Sequence, residues 1–140
     1  MNIKQILSAL CLALLLNSCN DYGKKVSSGP IDVYYKDGIS ETDAKNIARV
    51  IADIDRTQNN NSKDTKSFQL LKKNDTVCFR MVTNKESAAT ADASMFQALA
   101  NIVSDSAFNG APVNVELTDN KFVTVKAIPY KKLVEGAPAQ

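Results

Sequence analysis

Histidine is absent from the chain. That removes the usual general base at neutral pH, the commonest metal ligand, and the Ser–His and Cys–His pairings of nucleophilic catalysis. Cysteine is scarce, with three residues at positions 11, 19 and 78, and no two are spaced as in a zinc or dithiol site. Charge of one sign is not in excess either. Seventeen basic residues face fifteen acidic ones, for a formal charge of +2. Lys4 is the only charged residue before position 19, so a chain beginning at Cys19 has sixteen against fifteen, or +1. This balance lacks the basic footprint of a nucleic-acid binder, and no nucleic-acid partner is expected. There is no glycine-rich phosphate loop and no serine-nucleophile motif. Asp37, Glu41 and Asp43 lack the alternating ligands of a calcium loop and are better explained by helix capping. Neither a cofactor nor a metal is expected.

The amino-terminal stretch MNIKQILSALCLALLLNSC has one basic residue, Lys4, followed by a mostly apolar run from Ile6 to Leu16. As a helix that run is about 16 Å long, roughly half of a bilayer core. A charged end, a short apolar segment and small residues near a cut are the features of a secretory signal, here residues 1–18. Cys11 is simply a small apolar residue of the run.

At the end of this run, Leu16-Asn17-Ser18-Cys19 resembles the lipobox of bacterial lipoproteins, in which a leucine, a tolerant position and a small residue precede an obligatory cysteine. The resemblance covers residues 1–19 only. It implies a diacylglyceryl thioether on Cys19 and cleavage between Ser18 and Cys19, with the new amino terminus often acylated as well. A thiolate is a good nucleophile for taking up lipid, and two chains hold firmly at about 0.8 kcal/mol per buried CH₂ where a single chain holds marginally. Membrane lipid, through Cys19, is thus the first expected partner. Asn20, rather than Asp, follows the cysteine, and by analogy with sorting rules this favours the outer membrane of the cell envelope over the inner one. Residues 19–30 then predict a lipidated cysteine and a flexible tether, rich in glycine and serine.

From Ile31 the pattern predicts a globular domain to about residue 134, with a frayed tail at 135–140. Ile31, Val33 and Tyr35 alternate with Asp32, Tyr34 and Lys36 as in a half-buried strand. Ser40 and Asp43 suit the start of a helix carrying Ala44, Ile47, Ala48, Ile51 and Ile54 on one stripe. The segment RTQNNNSKDTK has no apolar residue and predicts a loop. A hairpin follows, turning at Asn74-Asp75. A second helix is expected over about 88–108, with a stop at Asn109-Gly110. A last hairpin turns at Asp119-Asn120. The expectation is an α+β fold of order β-α-β-β-α-β-β: a two-layer, mainly antiparallel five-stranded sheet with two helices on one face. The helix-plus-hairpin unit occurs twice, as a faint internal duplication would produce.

Three residues stand out as binding candidates: Tyr34 and Lys36 on the first strand, and Arg80, which neighbours Cys78. Cys78, with no histidine to activate it, predicts a small, semi-buried strand residue. Asn60-Asn61-Ser62 and Asn74-Asp75-Thr76 fit the glycosylation sequon by accident. The expected function is therefore that of a membrane-anchored envelope lipoprotein. It would act as a non-enzymatic binding or accessory module for an envelope protein or a cell-wall component. Inhibition of an envelope enzyme and a small carboxylate-dependent hydrolase are the alternatives.

Overall fold

The computed structural model of the chain describes residues 21–58 and 63–134. The signal segment, Ser18, Cys19 and Cys11, the Asn60 sequon and the 135–140 tail lie outside the described residues. The elements are β1 (Lys24–Ser28), β2 (Ile31–Tyr35), α1 (Glu41–Thr57), β3 (Lys66–Lys73), β4 (Thr76–Val82), α2 (Lys85–Ala89), α3 (Ala93–Ala107), β5 (Val113–Thr118) and β6 (Thr124–Ile128). One six-stranded sheet runs β1-β2-β3-β4-β5-β6 in chain order. The pairs β1–β2, β3–β4 and β5–β6 are antiparallel, while β2–β3 and β4–β5 are parallel.

The expected five-stranded, mainly antiparallel sheet with two helices is thereby corrected to a mixed six-stranded sheet with three helices among the described residues. The additional strand, β1, comes from KKVSS, within the stretch whose glycines and serines predict a tether. Its one apolar residue, Val26, packs against the core opposite Val33, and pairing with β2 satisfies its backbone. The expected long helix is two. Asn84 caps α2 by accepting from the Ser87 amide, and Thr90 ends it; Asp92 then caps α3 by accepting from the Ser94 amide. Short polar side chains that bond nearby amides compete with a continuous helix. The parallel pairs follow from the helices. A 17-residue helix of about 25 Å brings the chain back to the end from which the preceding strand started, so the next strand runs the same way.

Other local expectations hold. Ser40 accepts from the Asp43 amide at 3.0 Å and caps α1. Asn74 and Asp75 both take positive φ, 48° and 65°, in the two-residue turn between β3 and β4. Asn109 and Gly110, also at positive φ, end α3, and the Gly110 amide donates back to the Ser104 carbonyl.

The core lies between one sheet face and the helices. Ile31, Val33, Phe68, Leu70, Phe79, Val113, Val115 and Leu117 meet Ile47 and Ile51 of α1 and Phe96, Ala100 and Val103 of α3. Phe68 and Phe79 stack at 5.4 Å between centroids. Both helical crossovers step the same way across the sheet, β2 to β3 and β4 to β5, yet they start from strands of opposite direction. With α1 and α3 on the same face, the two crossovers have opposite hands, so one of them is the left-handed form that occurs in about 2% of such connections. The second crossover is held by specific bonds: Lys126 Nζ of β6 donates to the Ala91 carbonyl, and buried Ser104 donates to the Ala111 carbonyl at 2.6 Å.

Gly23, which precedes β1, tests how tightly the first hairpin is fitted. It has φ +92°, and a Cβ there would lie 2.2 Å from the Tyr35 carbonyl oxygen; at Gly29, φ +57°, a Cβ would meet nothing within 4 Å. Gly29→Ala is expected to cost about 1 kcal/mol, the left-handed backbone penalty alone. Gly23→Ala is expected to cost at least twice as much, about 2 kcal/mol or more, because β1 must also move off Tyr35. Urea denaturation of the two variants measures the difference.

Candidate functional site

The face of the sheet away from the helices carries a closed polar network. Alternation puts Gln69, Arg80, Glu116 and Thr124 side by side across β3, β4, β5 and β6. Arg80 Nε donates to Glu116 at 2.9 Å, one terminal nitrogen to Gln69 Oε1 at 2.7 Å, and the other to Thr124 Oγ1 at 2.9 Å. Lys73 donates to the other Glu116 oxygen at 2.6 Å, and Gln69 Nε2 donates to the Tyr22 carbonyl at 2.9 Å. Gln69 and Glu116 are buried. Burial pushes the Glu116 carboxyl up, but the hydrogen bonds from Lys73 and Thr124 and the Lys73 and Arg80 charges outweigh it and hold the group below its ordinary value.

An aromatic cluster covers the neighbouring part of this face. Tyr34 packs edge-on against Tyr22 at 5.8 Å and Phe122 at 5.8 Å, and Tyr22 meets Phe122 at 5.3 Å. Phe122 reaches the cluster from the β5–β6 loop with φ 56°, a left-handed conformation that Asp119 organises by accepting from the Lys121 and Val123 amides. Cys78 is buried on the same face; burial, with the Glu116 charge, raises its thiol pKa. The structure thus places the three sequence candidates apart in role. Tyr34 is one of three mutually packed rings of the aromatic cluster, and Arg80 spends its donors inside the network. Lys36 stands at the sheet end with an ion pair of only 3.9 Å, to Asp21.

Two concave features lie elsewhere. On the helix side an apolar groove of about 360 Å³ runs between α1 and α3. Ile51, Ile54, Phe68, Met81, Phe96 and Leu99 line it, with Met95 (60% exposed) and Ile102 (42%) on its rim and the Asp55–Lys66 ion pair at its end. At the sheet end where β1 begins and β2 and β3 finish, an open cleft of about 810 Å³ is lined by Lys24, Lys36 and Lys72, with Asp21 and Asp37 also present. Gly23 and Gly38, at φ +92° and +91°, form its backbone walls, and the Lys72 stem lies against Gly38. Sequence reading missed both features. The network had a legible signal, since Gln69, Arg80 and Glu116 each place a long polar residue between two apolar ones at mid-strand, on the face turned from the core. The groove and the cleft depend on elements far apart in the chain and had none.

Among the described residues no group of three cysteine or acidic side chains is arranged to hold a metal ion, and no helix is long and apolar enough to cross a membrane.

The chain belongs to the family defined by the AF_1994_N family N-terminal domain, whose model matches residues 25–128. No curated protein and no solved structure matches the chain.

Removal of the Glu116 charge tests the network. Glu116→Gln leaves Arg80 without its anionic partner and is expected to lower unfolding free energy at pH 7 by about 3 kcal/mol. Because the folded state holds this carboxyl below its ordinary value of 4.5, its contribution is complete above that pH and fades as pH falls through the folded value. The gap between wild type and variant in urea titrations should therefore narrow as pH falls from 5 towards 3. Asp32 and Asp119 are shifted the same way, the first by its Ser27 hydrogen bond, the second by the Val123 and Lys121 amides, so the variant should retain some acid sensitivity.

Proposed function

We propose that the protein is a lipid-anchored lipoprotein of the bacterial cell envelope, on the outer rather than the inner membrane, and that its folded domain is a non-enzymatic binding or accessory module. The observation that carries the reading is the sequence Leu16-Asn17-Ser18-Cys19 at the end of a short apolar run. Cys19 takes the lipid, and the domain works within reach of the membrane on an envelope protein or a cell-wall component.

Two features of the domain support a binding role over catalysis. The buried titratable groups are in states unsuited to chemistry: Glu116 is kept ionised by its cationic partners, and the Cys78 thiol is pushed away from thiolate. A carboxylate-dependent hydrolase needs a carboxyl held up towards neutrality, whereas Asp32, Glu41, Asp92, Glu116 and Asp119 are all held below their ordinary values. The apolar groove between α1 and α3, with Met95 and Ile102 exposed on its rim, supports contact with a partner, since flexible methionine-rich surfaces adapt to what they meet.

Intact-mass spectrometry of protein from its native membranes, beside Cys19→Ser, tests the anchor. The wild-type protein is expected to begin at residue 19 with a diacylglyceryl adduct and to enter the detergent phase on Triton X-114 partition. Cys19→Ser should carry no lipid and stay in the aqueous phase. An unmodified Cys19 on wild-type protein, or an uncut leader, would sink the reading.

A further inference from the structure

After β6 the chain leaves the sheet and runs over α3, where one side chain receives it. Asn101 stands at mid-helix, half-buried. Its amide nitrogen donates to the Lys131 carbonyl at 2.8 Å, and its amide oxygen accepts from the Leu133 amide at 3.2 Å. The same nitrogen donates to the Gln97 carbonyl at 2.7 Å, and the same oxygen accepts from the Tyr130 hydroxyl at 3.3 Å. A carboxamide has two N–H donors and two acceptor lone pairs. All four are used here, three of them on the segment from Tyr130 to Leu133. Asn114, in β5, adds a bond from the Tyr130 amide at 2.9 Å.

The pattern of these bonds identifies what the site reads. The Lys131 carbonyl and the Leu133 amide flank Lys132, and in an extended chain they point to the same side. A residue of a parallel strand bonds those same two groups of its neighbour. The Asn101 carboxamide thus stands in for a strand's peptide group, projected from a helix. The side chains of the bound stretch contribute little: Lys131 and Lys132 are exposed, Leu133 is 50% exposed and Val134 74%. Recognition falls on backbone groups, which any residue but proline supplies in full. Both bonds lie at the solvent boundary with little apolar cover, so another extended chain can make them equally well.

We propose that the outer side of α3 carries a peptide site centred on Asn101, which binds an extended segment of a partner polypeptide through its backbone. The chain's own residues 131–133 fill the site in the partner's absence. This surface is separate from the groove between α1 and α3, and it holds whether or not Cys19 carries lipid. The resident segment begins three residues beyond the end of β6, so its effective concentration is roughly millimolar or higher. A free peptide must reach that range to displace it.

Nuclear magnetic resonance of the isotope-labelled full chain in detergent micelles tests the proposal. The probe is acetyl-Tyr-Lys-Lys-Leu-Val-amide, a copy of residues 130–134. At roughly 5–10 mM peptide the Leu133 amide is expected to exchange with solvent at least threefold faster, while the Asn101 side-chain amide keeps its bound shifts. A peptide with both lysines replaced by alanine should act equally. One N-methylated at its leucine cannot donate to Asn101 and should have no effect. In Asn101→Ala the Leu133 amide should exchange at the open rate without peptide, and added peptide should change nothing. A Leu133 amide that the probe leaves unmoved overturns the exchange of segments. Equal action by the N-methylated peptide, or failure of the alanine peptide, overturns backbone reading. These outcomes are all read on the wild-type chain, so they decide the matter even where Asn101→Ala does not fold.

Discussion

The contact between Arg80 and Glu116 is the interaction on which the sheet's polar face depends. One guanidinium, in the middle of β4, bonds side chains from β3, β5 and β6, and through Gln69 it reaches the backbone of Tyr22 before β1. Desolvating such a pair is costly, and it is retained here with each polar atom partnered: among the described residues no buried side-chain nitrogen or oxygen lacks a hydrogen bond. A planar fork with five donors can bind three strands at once, which a lysine could not do in the same geometry. The network therefore acts on register more than on raw stability. A one-residue slip of any of these strands would turn its polar member into the apolar core.

That constraint also explains why a face without helices is not a bare face. Tyr22, Tyr34 and Phe122 cover the part of it nearest β1 and β2, and the Arg80 network occupies the rest. The helices take the opposite side, where apolar residues of all six strands meet α1 and α3. The domain thus separates its surfaces by chemistry: a sealed polar and aromatic face, an apolar groove between the helices, and a lysine-lined cleft at one sheet end.

Much of the architecture was legible in the residues because it is encoded locally. The Ile31/Val33/Tyr35 alternation, the Ser40 cap, the Asn74-Asp75 turn and the Asn109-Gly110 stop each act over a few positions and appear where expected. β1 was not legible because KKVSS has one apolar residue, and its strand state comes from pairing with β2 rather than from any pattern of its own. The helix break at Thr90 to Asp92 was masked by flanking alanines, since alanine favours helix whichever side of a break it stands on. Strand direction was misjudged because a hairpin pattern shows only antiparallel neighbours, whereas the parallel pairs arise from helix length. For the site, Arg80 and Tyr34 were visible as unusual residues, but their partners Glu116, Gln69 and Phe122 lie 36, 11 and 88 positions away. Lys36 stands in the cleft because β3 brings Lys72 beside it, a neighbour no local pattern could supply.

The entry of the chain through an edge strand has a mechanical consequence. On the anchored reading, any pull between the lipid and the domain arrives first at Tyr22, just ahead of β1. Drawn along the strand, the five paired positions of β1 and β2 carry the load together, as in shear; drawn sideways, they open one after another, as a zipper does. The Gln69 bond to the Tyr22 carbonyl lies ahead of that strand, and it works as a strain relief that the tension must break before the sheet itself is loaded.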